Sequence, residues 1–201
     1  RAAPALGLML GVWLIAGGLI YLWTRVQRGA GKISAKIAIL PLAVWSMSLA
    51  HIGAGVLTLG AVAETAFRSE RAVALAPGEA ATFAGRRITL LEVGSIEGPN
   101  YSATRANFRV DEANGAARSI SAERRYFPTS PMPTTEVGIL SSFDGDLYFA
   151  LGEQVRDSQG AWTVRLYHNP LVHFIFIGVL LMALGGALSL TALARKRKAA
   201  S

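Results

Sequence analysis

Residues 37–63 read IAILPLAVWSMSLAHIGAGVLTLGAVA, and this apolar stretch decides the fold. It contains 27 residues between Lys36 and Glu64, and His51 is the one ionisable side chain inside it. At a rise of about 1.5 Å per residue, a helix of this length crosses a bilayer core of about 30 Å with some tilt. Pro41 is expected in the first turns of that helix, where a missing amide costs little. The stretch therefore predicts a transmembrane helix with an imidazole just past its midpoint.

His51 is the most informative side chain, because a polar group at membrane depth is costly to desolvate and usually faces a protein interior. Its helical neighbours three and four positions away are Met47, Ser48, Ala54 and Gly55, three of which are small. Such a shallow face lets another helix or a flat macrocycle come close. Two interpretations follow: a buried histidine bonded to a neighbouring transmembrane helix, or an axial ligand of a metal or haem.

Composition and charge place the chain with membrane proteins that carry a sizeable polar part. Of its 201 residues, 52% are hydrophobic, and the mean hydropathy is +0.38. Much of the net charge of +7 comes from two basic clusters, residues 25–36 and 195–198, which contain no acidic residue. This distribution indicates a membrane topology with both clusters in the cytoplasm, not a nucleic-acid surface. Cysteine is absent, so disulfides and thiolate sites are excluded and any redox chemistry needs a bound cofactor.

Two further apolar segments, residues 4–24 and 169–194, predict the other transmembrane helices. The expected fold is an α-helical multispanning membrane protein, with three transmembrane helices and an inserted periplasmic all-β domain. The expected divisions are residues 1–66, 67–167 and 168–201.

Short alternating segments between the second and third helices predict the strands of the β domain. They lie at residues 81–93, 103–111, 118–126, 147–151 and 162–167. Turn signals separate them, and Asn114-Gly115 between two alternating runs predicts a hairpin. The pattern is typical of a small barrel or sandwich.

Several polar features of this part have two interpretations each. Residues 123–126 (ERRY) fit a solvated strand face or a dock for a carboxylate or partner chain. Residues 129–139 contain two prolines, cannot form a central strand and are predicted to be a loop that can carry contacts. His168 and His173 fit amphipathic rings at headgroup depth, or contacts to an anionic group at the outer face.

Five stretches, taken in their order and spacing, resemble one family. They are WSMSLAHIGAGVLTLG (45–60), GPNYSATRANF (98–108), SAERRYFPTSPMPTTEVGI (121–139), DLYFALGE (146–153) and AWTVRLYHNPLVHFIFIGVLLMALGGALSL (161–190). With the basic tail, they are similar to the C-terminal part of the CcmF family, the haem lyase subunit of the bacterial cytochrome c maturation system. The first residue is Arg1 and not methionine, which agrees with the resemblance, because the chain would be the tail of a larger protein.

The resemblance implies an enzyme of the bacterial inner membrane, a cytochrome c haem lyase, for which this segment alone is not sufficient. The family holds a haem b in the membrane through two histidines, and the block around His51 matches one of them. His51 is therefore the expected cofactor-binding residue and axial ligand of the haem iron. The second ligand, the tryptophan-rich WWD motif and the paired periplasmic histidines are not in these residues, and no catalytic residue is expected here.

The implied partners are the remaining N-terminal part of CcmF, CcmH-type subunits, the haem chaperone CcmE, apocytochrome c and the lipid bilayer, with no nucleic acid. Arg124, Arg125 and the loop at residues 129–139 are candidate contacts for CcmE and CcmH. Two rival functions remain open. One is a non-enzymatic membrane scaffold subunit, and the other is half of a transporter with His51 in a proton relay. The transporter would need further intramembrane carboxylates, which residues 4–24 and 169–194 lack.

Overall fold

A computed structural model describes residues 2–28, 31–112, 115–156, 158 and 160–200, with side chains as far as residue 195. The chain divides into two compact units. Residues 1–67 and 170–201 form a helical unit, and residues 68–169 form a β unit. The hairpin predicted at Asn114-Gly115 falls partly on residue 114, which lies outside the described residues.

The helical unit contains four helices within the described residues. They are α1 (Ala2–Gln27), α2 (Ile33–Ala38), α3 (Leu42–Phe67) and α4 (Val172–Ala200). Three segments are long and apolar enough to cross a membrane: Ala2–Gln27, Leu42–Phe67 and Val172–Arg195. The prediction of three membrane-spanning helices is confirmed.

The second span begins later than predicted. The helix expected over residues 37–63 is instead the end of α2 followed by a separate α3, because Pro41 precedes α3 directly. Proline has no amide for the carbonyl of Ile37 and disfavours helical geometry at Leu40. The Leu40 amide therefore donates to the Ile37 carbonyl across a tighter turn, at 3.3 Å. His51 is consequently the tenth of 26 residues in α3, before the midpoint and not past it.

Glycines bring α3 close to both of the other spans. A Cβ added at Gly55 would lie 2.6 Å from the carbonyl oxygen of Gly11 in α1. A Cβ added at Gly53 would lie 2.7 Å from the carbonyl oxygen of Gly178 in α4. Small residues that let backbones approach are the usual contact between helices in lipid, where no hydrophobic effect drives them together. Two separate faces of α3 are thus occupied by neighbouring helices.

The β unit is a sandwich of two antiparallel sheets, which decides between the two predicted all-β architectures. Its described strands are β1 (Ser69–Leu75), β2 (Ala80–Phe83), β3 (Arg86–Glu97), β4 (Ser102–Asp111), β5 (Ala117–Tyr126), β6 (Thr134–Glu136), β7 (Gly138–Ser142), β8 (Gly145–Gln154) and β9 (Trp162–Pro170). The four-stranded sheet has the order β1-β9-β8-β7, and the five-stranded sheet has the order β2-β3-β4-β5-β6. Both sheets contribute to the core, where the rings of Phe108 and Phe149 lie 5.4 Å apart between centroids.

Three details of the β unit differ from the predictions. The segment at 81–93 is two strands, separated by a turn in which Ala84 and Gly85 have positive φ values of 48° and 73°. The predicted loop at 129–139 contains β6 and the start of β7, each at the edge of its sheet, where a strand tolerates nearby proline. Residues 169 and 170, predicted to begin the third transmembrane helix, instead end β9.

Candidate functional site

His51 lies on a face of α3 that neither α1 nor α4 covers. Ser48 and Gly55, which were expected to share its face, are buried towards α1, and Gly53 is buried towards α4. The imidazole is exposed, and Met47 beside it is 45% exposed. Two of the three small residues that the sequence grouped with His51, Ser48 and Gly55, therefore belong to another face of the helix. The interpretation of His51 as a residue packed against α1 or α4 does not fit this geometry.

The ring of His51 is oriented by its own helix. Its Nδ1 lies 2.9 Å from the carbonyl oxygen of Met47, one turn earlier. A carbonyl oxygen can only accept, so Nδ1 carries a proton and donates it. In a neutral imidazole the lone pair then resides on Nε2, on the other side of the ring. Histidines that ligate metals are commonly fixed by such a bond from the second ring nitrogen.

The residues around His51 fit a flat haem better than a bare ion. We define the uncovered face of α3 as the exposed Met47 and His51 with the half-buried Ala54 and Thr58, which follow each other at helical spacing. Ala54 is small, and the hydroxyl of Thr58 donates to the Ala54 carbonyl at 2.8 Å, so this hydroxyl needs no other partner. Within the described ranges, no group of three or more His, Asp or Glu side chains could hold a metal ion. A haem iron needs only one or two axial ligands from the protein, and His51 can be one.

His173 is not brought to His51 in a way that completes a ligand pair. His173 precedes Phe174 and Ile175, which pack against Gly60 of α3. Gly60 is nine residues beyond His51 in the sequence. That separation corresponds to about 14 Å along the helix axis.

His168 belongs to the β unit, where it pairs with Ser69 across β1 and β9. Burial lowers the pKa of His168 below its ordinary value, the nearby Asp144 carboxylate opposes this shift, and Arg86 adds to it. Its Nε2 is buried and has no hydrogen-bond partner among the described residues. A histidine kept neutral in this way is a poor contact for an anionic group.

A groove of about 640 Å³ on the β unit is a second candidate site, which we call the β groove. It is lined by residues of β5, β6, β8 and β9 and by Pro133 and Val137 beside β6. Arg165 projects from the exposed side of β9 and makes no ion pair or hydrogen bond within the described residues. Arg124 also lines the groove and donates to Glu153 at 2.9 Å. Sequence reasoning missed Arg165, although the alternation in residues 162–167 already placed it opposite the buried Val164 and Leu166.

The adjacent Arg124 and Arg125 point to opposite sides of β5 and do not form one patch. The Nε of Arg125 donates to Glu123 at 2.8 Å, and its guanidinium lies 4.6 Å from the centre of the Tyr101 ring. Burial alone would raise the pKa of Glu123, but hydrogen bonds from Arg125 and Arg105 outweigh it and lower that pKa. Arg125 is therefore engaged inside its own sheet, whereas Arg124 faces the β groove.

Comparison with known proteins shows to which family the chain belongs. Residues 66–170, more than half of the chain, match the family described as the CcmF C-terminal beta-sandwich. The chain belongs to the CcmF family. This confirms the resemblance that the sequence blocks carry.

Several curated relatives resemble the chain over most of its length. Cytochrome c-type biogenesis protein ccl1 of Rhodobacter capsulatus is 36% identical over 182 residues, which are 90% of this chain and 27% of the relative. CycK of Bradyrhizobium diazoefficiens is 35% identical, with 94% and 29% covered. CcmF of Escherichia coli is 32% identical, with 94% and 28% covered. The chain thus spans less than a third of the length of these relatives.

A solved structure titled Cytochrome c Heme Lyase CcmF has the same fold. The two superpose with a TM-score of 0.59 at 19% identity, over 90% of this chain and 34% of that one. At this identity the likeness concerns the fold alone.

Proposed function

We propose that this chain supplies His51 as one axial ligand of a haem b in the bacterial inner membrane, as part of a cytochrome c haem lyase. The observation that carries the proposal is the exposed imidazole on the uncovered face of α3, with Nδ1 bonded to the Met47 carbonyl. Membership of the CcmF family, whose relatives are named for cytochrome c biogenesis, supports it. This chain provides part of that enzyme and does not perform the reaction alone.

The helices give the imidazole a fixed position. Packing of α1 against Gly55 and of α4 against Gly53 sets the rotation of α3 about its axis. The Met47 carbonyl then fixes the ring and leaves Nε2 available to iron. When bound, such a haem would supply the electron that keeps an incoming haem ferrous while its vinyl groups bond to the cysteines of CxxCH in apocytochrome c.

The β unit would form part of the platform on the periplasmic side. The basic clusters at residues 25–36 and 195–198 support this orientation through the positive-inside rule. We assign the β groove, with Arg124 and Arg165, as the contact for CcmE or a CcmH-type subunit. Its support is the guanidinium of Arg165, which is unpaired among the described residues and can pair with a carboxylate of the partner. Arg125 has an internal role instead, because Glu123 already holds it.

The test is the visible and reduced pyridine haemochrome spectrum of the full-length protein, as wild type, His51→Ala and His173→Ala. We expect the b-type bands to be lost in His51→Ala and retained in His173→Ala, which removes an imidazole from another apolar helix. Equal bands in all three proteins would contradict ligation by His51. A folded wild-type protein without b-type bands would favour the scaffold or transporter and exclude the proposal.

A further inference from the structure

The turn between β7 and β8 carries a fully presented apolar side chain. Phe143 is 88% exposed, more than any other large hydrophobic residue on the described surface. It is not in a frayed segment, because only Phe143 and Asp144 separate the paired residues Ser142 and Gly145. The Ser142 hydroxyl donates to the Gly145 carbonyl at 3.0 Å, and Gly145 has a φ of 143°, which favours glycine. A short, braced turn therefore holds a phenyl ring in an exposed position.

This turn lies at the end of the sandwich where the chain enters and leaves it. Ser69, at the start of β1, pairs with His168 near the end of β9. After burial, the charge of Asp144 has the largest influence on the pKa of His168. The turn, which contains Asp144, is therefore close to the pair formed by Ser69 and His168. A single residue separates Ser69 from Phe67, the last residue of the apolar α3. Phe143 is thus near the point where the chain passes into a membrane-spanning segment.

The position along β8 agrees with this placement. Gly152 packs against Thr163 of β9, with an added Cβ 3.0 Å from the Thr163 carbonyl oxygen. When residues are counted from this contact in opposite directions along β8 and β9, the start of β8 lies close to Pro170, the last residue of β9. The turn therefore lies at the end of the sandwich where β9 ends, and a single residue separates Pro170 from the apolar α4 in the sequence.

The charge beside Phe143 is already neutralised. One terminal nitrogen of Arg86 donates to both carboxylate oxygens of Asp144, at 2.8 and 3.0 Å, and to the Ser142 hydroxyl at 3.2 Å. Burial alone would raise the pKa of Asp144, but the hydrogen bond from Arg86 lowers it, so the ion pair persists at neutral pH. An unpaired carboxylate would resist entry into a region of low water content, whereas a paired one resists much less.

We infer that the β7–β8 turn is a lipid anchor, in which Phe143 inserts into the headgroup region of the bilayer. An aromatic ring that is exposed at the end of the sandwich from which the chain continues into apolar helices gains by leaving water. The contact adds a third attachment point to the two covalent connections of the sandwich. The inference is independent of haem binding by His51.

The test is spin-label accessibility in the full-length protein, reconstituted in lipid nanodiscs. This chain has no cysteine, so Phe143→Cys creates one labelling site within it once any cysteines outside it are replaced. The matched control is Asn100→Cys, an exposed residue between β3 and β4 at the opposite end of the sandwich. We expect the label at 143 to be several-fold more accessible to oxygen, relative to a water-soluble nickel chelate, than the label at 100.

Two results would overturn the inference. Equal preference for the nickel chelate at both sites would place Phe143 in water. An immobile label at 143 that neither reagent reaches would place it against protein instead of lipid.

Discussion

The helical unit and the β unit differ in where a polar side chain finds its hydrogen-bond partners. In the sandwich, Glu123 is 6% exposed and accepts hydrogen bonds from Arg105 and Arg125 of the same sheet. In the helical unit, the imidazole of His51 is exposed on a segment able to cross a membrane, and its Nδ1 bonds to a carbonyl of its own helix. Lipid offers no partner to Nε2. The comparison indicates that Glu123 finds its partners within its own sheet, whereas α3 presents in His51 a ring nitrogen that needs a partner from elsewhere.

Removing a core ring should test how complete the sandwich is. Phe108 is fully buried and packs against Phe149. We expect Phe108→Ala to destabilise the β unit by about 3–5 kcal/mol, through lost burial and the cavity left behind. Hydrogen exchange of the intact protein measures this as lost protection across residues 68–169. Phe143→Ala is the control, since that ring is exposed and should contribute little to folding; comparable losses would contradict the assigned core.

Filling a contact between helices should test how α3 is held. A Cβ at Gly53 meets backbone atoms of α4 at 2.7 and 2.8 Å, which cannot move aside cheaply. Gly53→Ala should therefore cost about 1–3 kcal/mol in the thermal or denaturant stability of the purified protein. Gly17→Ala in α1 is the matched control, because nothing lies within 4 Å of its added Cβ. If both variants behave alike, α3 and α4 do not pack as described.

Removing a single charge should show how far the sandwich depends on its internal pairing. Glu123→Gln removes the carboxylate that accepts from both Arg105 and Arg125, and leaves Arg125 its longer pair with Glu136, at an expected cost of about 1–3 kcal/mol. Glu153→Gln breaks the pair with Arg124, but Glu153 is 79% exposed, and the loss should be much smaller. Chemical denaturation of the two variants side by side gives the comparison. A larger loss from Glu153→Gln would reverse it.

The general architecture follows from sequence because its signals are local. The apolar runs and the basic clusters predicted three spans, and alternation with turn residues predicted the β domain. Pro41 is visible in the sequence, but the sequence alone does not show whether it lies in the first turns of one helix or separates two helices. The outcome depends on whether the backbone carbonyls before Pro41 accept hydrogen bonds from other donors. The face occupied by His51 could not be predicted, because the partners of Gly53 and Gly55 are distant in sequence. The β groove was missed for the same reason, whereas the exposed position of Arg165 could have been predicted from the alternation in residues 162–167.

Lowering the pH should reduce the stability of the sandwich in two steps. This is the smallest effect that we expect. The pKa of His168 is lowered by burial, so below its ordinary value of 6.5 the unfolded state binds a proton that the folded state resists. The pKa values of Glu123 and Asp144 are lowered by their arginine partners, so their stabilising contributions are lost as the pH falls below 4.5 and 3.8. Stability should therefore fall as the pH falls in both windows. Denaturation across this range, with Glu123→Gln flattening the lower step, checks the sign; stability that rises on acidification would contradict it.

The most direct test of the central claim is chemical rescue at His51 in the full-length protein. His51→Gly removes the imidazole but leaves room for a free imidazole, which can reach iron without any change in the helix. We predict that the variant lacks low-spin b-type bands and that added imidazole restores them, while the same addition leaves the wild type and His173→Gly unchanged. Bands that persist in His51→Gly without imidazole would show that the iron is held elsewhere. The uncovered face of α3 would then serve another contact.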